Sequence, residues 1–391
     1  MSTRPKLAVV TTMFHKNSHS DVIVSRWLEP LPTDRDFGWP IAGHDVPRAD
    51  IVSMHIVQVT ERDTGHEVAK KHNLPLYATV REALTLGGDE LAVDGVLLIG
   101  EHGDYPLNEW HQKMYPRREL FDEIVEVFNQ SGRCVPVFND KHLSYDMDSA
   151  MHMVETANQL GFPLMAGSTL PVGGFIAPWE LAPTTHLKEG VAIFYGSFEA
   201  YGYHSIEFLQ SVVAGRAGGE SGIKNITVYR GDGFWEALEN GVWSEELMQA
   251  AIKCAATCAG DNYRENLLPP KQAEFADNWP IAVCFEHNDG LKTAHLLLDG
   301  QQTDFSLAVE AEDGTVHSGC SRLSQNTDVF FAHFAQFNAV IEEFVMTGKP
   351  NLPIQHTLLC TLAIASTLRA AATPGEKIET PRLNIAYGLH D

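Results

Sequence analysis

Basic residues are scarce in this chain: 28 lysines and arginines stand against 51 aspartates and glutamates, a formal net charge of -23 over 391 residues. A surface this negative repels nucleic acid and anionic membranes, so neither is expected as a partner. Cysteine is also sparse. Six residues, at positions 134, 254, 258, 284, 320 and 360, form neither a dense disulfide framework nor paired CxxC zinc spacing, which suits a reduced, cytoplasmic setting. No run approaches the roughly twenty apolar residues of a membrane span. The opening MSTRPKLAVVTTMFHK has an apolar stretch too short for a secretory core, so a soluble protein is expected.

What is present suffices for packed cores, with 44% hydrophobic and 20% charged residues. The length exceeds that at which one core usually stops growing, which points to two domains. From residue 6 to about 166, strand-like and helix-like segments alternate. KLAVVT, IVSMHIVQV, VDGVLLIG, CVPVF and FPLMAGS read as strands, and helical spacing separates them, for example at Leu120, Phe121, Ile124, Val127 and Phe128. Ser18 with Asp21 resembles a capping box for the first helix. This alternation predicts a Rossmann-like, doubly wound parallel sheet over residues 1–170. Beyond the proline- and glycine-rich TLPVGGFIAPWELAP, the strands VAIFYG, IKNITVYR, PIAVCFEH, TAHLLLD and FSLAVEAE follow with few helices between them. That pattern predicts an α+β domain with a mainly antiparallel open sheet over 171–391, its C-terminal helix free to pack back on the first domain. A sheet with one face uncovered by helices would favour a homo-oligomer.

Chemistry is expected where buried strands end in ionisable residues, because ligands of open parallel sheets sit beyond the carboxyl ends of the strands. After VDGVLLIG come Glu101, His102 and Asp104, and after CVPVF come Asn139, Asp140, Lys141 and His142. The segment that follows the first run also carries His111, with Arg117 and Arg118 near a helix start, where they would suit a carboxylate or phosphate. Lys141, at the end of an apolar strand, suits proton transfer. Glu101, His102, Asp140 and His142 offer oxygen and imidazole ligands to a divalent metal, although no HxxxH or HExxH spacing on a helix accompanies them. GGESG at 218 to 222 lacks the Lys-Ser/Thr of a phosphate loop and reads as a turn.

Two motifs carry a family resemblance. Asn139-Asp140-Lys141-His142, leading into LSYDMDSAMHMVETANQLGFPLMAGS, is similar to the Glu-Lys-Pro strand end and following helix of the Gfo/Idh/MocA oxidoreductases, and FEAYGYHSIEFL supplies His204 and Glu207 of their second-domain motif. The resemblance covers nearly the whole chain. It implies an enzyme that acts on a small carbohydrate-like substrate, a sugar, polyol or related hydroxy or keto compound. Lys141 and His204 would be its catalytic proton-transfer groups, and NAD or NADP its cofactor. Glu101, His102, Asp104, His111, Asp140, His142 and Tyr201 would then contact substrate. The sequence departs from the family at Ala200, where an aspartate is expected, and at Thr11 to Ser18, which contains none of the glycines of GxGxxG. Either Thr11, Thr12 and Lys16 hold the pyrophosphate, or the dinucleotide is gone. A lyase, hydratase or isomerase without hydride transfer is then the alternative, and a non-catalytic binding protein a third.

Overall fold

The computed structural model describes residues 4–270, 272, 275, 277–323 and 331–389. The chain divides into two compact units, one of Met1–Pro106, Lys113–Val172 and Val329–Ile354, the other of Leu107–Gln112, Gly173–Asp328 and Gln355–Asp391.

The first unit is built on a five-stranded parallel sheet in the order β2-β1-β3-β4-β5, formed by β1 (Lys6–Met13), β2 (Asp50–Gln58), β3 (Gly95–Ile99), β4 (Val137–Asp140) and β5 (Leu164–Gly167). Its central strands read as continuous apolar runs because both faces are covered: β3 is buried at every residue. The helices Gly65–His72, Val80–Thr85, Arg117–Ser131 and Met147–Leu160 follow the strands as expected. The helix that joins this unit from the far end of the chain is His333–Thr347, not the final one. Its Phe334, Phe337, Ile341 and Phe344 share a core with Trp39 and Phe138, whereas the final helix, Ile354–Ala370, lies from Gln355 onward in the second unit.

The second unit holds a seven-stranded sheet in the order β11-β10-β6-β9-β8-β7-β12. Its strands are β6 (Leu187–Phe194), β7 (Ile223–Arg230), β8 (Ile281–His287), β9 (Lys292–Leu297), β10 (Ser306–Ala311), β11 (Val316–Cys320) and β12 (Ile378–Glu379). Neighbours are antiparallel except β6 and β9. The face expected to lie uncovered is covered in part. Val191 and Ile193 pack under the helices Asp232–Glu239 and Glu245–Cys254, while Gly190 on the opposite face admits Leu209 of the helix Ala200–Val213. The first of those covering helices was not legible in the sequence pattern, and beside it the same face stays open as a cavity lined by Asn225, Thr227, Tyr229, Cys284 and Glu286. GGESG forms the turn before β7, with Gly218, Gly219 and Gly222 at positive φ and Glu220 bridged to Tyr387. All six cysteines are free, and no helix among the described residues is long and apolar enough to cross a membrane.

Candidate active site

In the order β2-β1-β3-β4-β5, the chain turns from one side of β1 to the other, so a crevice opens at the carboxyl ends of β1 and β3. The pairings Thr11 with Ile99 and Leu98 with Asn139 bring three strand ends level. There the sheet presents Thr12, Glu101 with His102, and Asp140 with Lys141 and His142.

Glu101 is the centre of a buried ion trio. Lys141 Nζ donates to its Oε1 at 2.9 Å and the Arg117 guanidinium to its Oε2, with side-chain exposures of 6% for Lys141, 9% for Glu101 and 0% for Arg117. Gly100 makes the approach feasible, since a Cβ there would lie 2.5 Å from Arg117 Cγ. Burial by itself would raise the Glu101 carboxyl, but Lys141 and Arg117 hold it well below the usual carboxylate range. Burial, helped by Arg117, pushes His142 well below its ordinary value, and its Nε2 accepts from Arg117 at 3.3 Å. The face of Tyr115 lies 4.9 Å from the same guanidinium.

Two residues here hold left-handed backbone, Lys141 at φ 57 and His102 at φ 66. Each such non-glycine residue costs about 1–2 kcal/mol, and the surroundings fix both. Lys141 N donates to Gly167 O at 2.8 Å, and the Thr12 hydroxyl is shared between Glu101 O at 2.8 Å and His102 O at 2.9 Å. Burial pushes His102 down to about 4, so its ring is neutral at ordinary pH. The rings of His15 and His19 lie 5.2 and 5.4 Å from it. His19, at the start of the first helix, donates from Nδ1 to Asp140 Oδ2 at 2.7 Å. Buried polar atoms of this cluster without a hydrogen-bond partner among the described residues include His102 Nδ1, Asp140 Oδ1 and Arg117 Nε.

Of the residues singled out in the sequence, Glu101, His102, Asp140, Lys141 and His142 come together in the first unit. Asp104 stands apart, exposed, with its backbone tied to Gln58. His111, Tyr201 and His204 belong to the second unit. There His111 meets the Phe275 ring edge-on at 5.8 Å, and His204 lies 6.1 Å from Tyr201 and 5.8 Å from Phe305, ring centre to ring centre. Glu207 accepts from Tyr203 at 3.0 Å.

Other expectations need correction. Arg117 holds the protein's own Glu101, and Arg118 pairs with Asp122 one turn along its helix, so neither offers its charge to a ligand as expected. The four metal-ligand candidates do gather, but Lys141 and Arg117 occupy the oxygens of Glu101 and place two cations where a metal would sit. No group of three metal-ligating side chains with suitable placement exists among the described residues. His19 was missed in the sequence. The signal available was a histidine between two serines, SHS, directly after the first strand.

The junction after β1 does not fit a dinucleotide pyrophosphate. Thr11 and Thr12 are fully buried and turn their hydroxyls inward: Thr11 donates to Ile99 O at 3.1 Å, and Thr12 is committed to the turn at Glu101 and His102. Lys16 is exposed on the turn. The amides that would face an anion are already used, since Ser18 Oγ accepts from His15 N at 3.2 Å and Asp21 N at 3.3 Å, and Asp21 Oδ2 accepts from Asn17 N at 2.8 Å. The Asp21 carboxylate thus stands where a pyrophosphate needs bare amides, and its charge opposes a second anion.

No protein-family model and no curated protein matches the chain. Solved structures match over nearly its full length. GenD2 from gentamicin A biosynthesis, in complex with NAD, is 16% identical, with 97% of each chain covered and a TM-score of 0.57. A myo-inositol dehydrogenase from Corynebacterium glutamicum ATCC 13032 is 12% identical, over 96% of this chain and 99% of its own, with a TM-score of 0.56. An oxidoreductase from Agrobacterium radiobacter, in complex with NAD+, L-tartaric acid and magnesium, is 12% identical over 96% and 98%, with a TM-score of 0.53. The chain has the fold of inositol dehydrogenase-like oxidoreductases. At these identities the likeness is one of fold.

Proposed function

We propose that this chain is an enzyme acting on a sugar, polyol or related hydroxy or keto compound, with Lys141 as a proton-transfer group. The observation that carries the reading is the buried Lys141–Glu101–Arg117 trio at the strand-end crevice, set beside polar atoms that lack partners among the described residues. Desolvated charges and orphaned polar atoms cost stability. A polyhydroxylated compound carries the donors and acceptors that would satisfy them, and an ammonium group is suited to a substrate oxygen that gains or loses charge. Neighbours of the same fold named for inositol or bound to tartaric acid support the substrate class. His204, beside Tyr201 and Phe305, is the candidate proton-transfer group of the second unit.

The occupied junction after β1 favours a second reading, in which the groups of the crevice move a proton beside a carbonyl, as a lyase, hydratase or isomerase does, without hydride transfer. The test is titration of the purified protein with NAD and NADP, followed by its fluorescence, together with turnover on a panel of polyols and ketoses. Saturable binding with turnover that requires the dinucleotide supports the redox reading. Conversion or solvent-proton exchange without it supports the second, and a protein inert in both assays would refute the proposal.

A further inference from the structure

His19 is held in a way its helix does not require. Ser18 supplies the cap of that helix, accepting from Asp21 N, whereas the His19 ring reaches a carboxylate 121 residues away. Asp140 is fully buried, and among the described residues its side chain has no hydrogen-bond partner other than His19. The ring rests edge-on against Phe334 at 5.3 Å and keeps 16% of its side chain exposed. Its Nδ1 is committed to Asp140, and its Nε2 makes no hydrogen bond among the described residues. The Lys141 ammonium, on the residue adjoining Asp140, is committed to Glu101.

We infer that His19, oriented by Asp140, is the catalytic base of this crevice, while Lys141 serves the substrate oxygen. The inference rests on the proton-transfer reading above and deepens it. The C–H bond beside the substrate carbonyl breaks and its proton passes to His19 Nε2. The electron pair moves into the new carbon–carbon double bond, and the carbonyl pair moves onto oxygen, which takes a proton from Lys141 to give an enediol. The hydroxyl on the carbon that lost its hydrogen then gives its proton back to Lys141 and closes to the new carbonyl, while the double-bond pair takes the proton from His19 at the former carbonyl carbon. Both groups are thereby restored and no oxidant is consumed. The imidazolium formed on the way is balanced by the Asp140 carboxylate, an orienting arrangement that fixes which ring nitrogen faces the substrate proton. The neutral His102 ring adds no competing charge.

The test is deuterium incorporation from D2O into dihydroxyacetone, fructose and sorbose, read by mass spectrometry. Wild-type protein should label at least one of the three. His19→Gln and His19→Ala should lower the rate about a hundredfold, and Asp140→Asn about tenfold; His19→Gln, whose side-chain amide can still donate to Asp140, should keep its thermal melt, whereas His19→Ala, which strands that buried carboxylate, should melt earlier. Added imidazole should restore labelling in His19→Ala but not in Lys141→Met, a rescue that a merely structural role would not show. If Asp140→Asn fails to fold, that rescue decides alone. Wild-type rates in both His19 variants beside a collapsed Lys141→Met overturn the inference and leave the reading standing. A wild-type protein that labels none of the three ketoses overturns the inference together with the non-redox reading on which it rests.

Discussion

Glu220 in the second unit and Glu101 in the first are both buried carboxylates set against an arginine, and they differ in how completely they are satisfied. Glu220 accepts from Gln210 Nε2 at 2.6 Å, Arg216 at 3.1 Å, His287 Nδ1 at 2.9 Å and Gly222 N at 2.7 Å. Burial opposes its charge, yet His287 and Arg216 hold its carboxyl far below the usual range. Gln210 also bonds Tyr387, so the network ties the chain end to the sheet. Glu101 has two cationic donors, and its surroundings include several orphaned atoms and two left-handed residues, whereas the Glu220 network leaves only His356 Nε2, beyond Tyr387, without a partner among the described residues. A buried ionic network that is closed acts as a structural tie. One left open at a strand-end crevice is arranged for a ligand.

Breaking the closed network should have the largest effect on folding. Glu220→Ala leaves Arg216 paired with Asp289 but takes the acceptor from Gln210, His287 and Gly222 N in the interior, and should cost roughly 3 kcal/mol in urea unfolding; a loss below about 1 kcal/mol would mean the network is not a tie. In the open cluster the balance reverses. Lys141→Met leaves Glu101 paired with Arg117, so turnover should fall about a hundredfold, worth about 2.7 kcal/mol, while the melting temperature moves by only a few degrees.

Acid should weaken both units alike. Burial pushes His102 and His356 down to about 4 and His295 and His333 to about 3. Unfolded, each titrates near 6.5. Between about 6.5 and 4 the unfolded state therefore binds more protons, so stability is complete above that window and falls as pH drops, by at most about 1.4 kcal/mol per pH unit for each histidine. Glu101 and Glu220, with depressed values, keep their contributions down to the usual carboxylate range and lose them only in stronger acid. His295→Gln should flatten the slope of stability against pH; an unchanged slope would count against this account. The smallest effect is expected at Thr12→Val, which removes the hydroxyl shared by Glu101 O and His102 O. It should cost about 1 kcal/mol and reduce turnover several-fold by loosening the turn that aims His102.

The ionisable strand ends were legible because burial on both faces leaves a run such as Val96-Leu97-Leu98-Ile99 with no polar alternation, and the break to Glu101 and His102 is local. Lys141 could be singled out for the same reason. Arg117 and His19 could not be given their partners, since the contacts span 16 and 121 residues. Thr11 and Thr12 were misjudged because a hydroxyl beside a missing glycine motif looks available to an anion. Only the neighbouring strand end shows that it points inward.

The sequence by itself determined the two kinds of sheet, because side-chain periodicity and the order of strands and helices are properties of adjacent residues. It also determined that no glycine would open the first junction. Tertiary structure decided which charges meet, which carboxylate is satisfied and which is left open, and which sheet face is covered. Those outcomes depend on chain crossings that bring distant residues within a hydrogen bond's reach, where desolvation turns a polar side chain into either a tie or a reactive group.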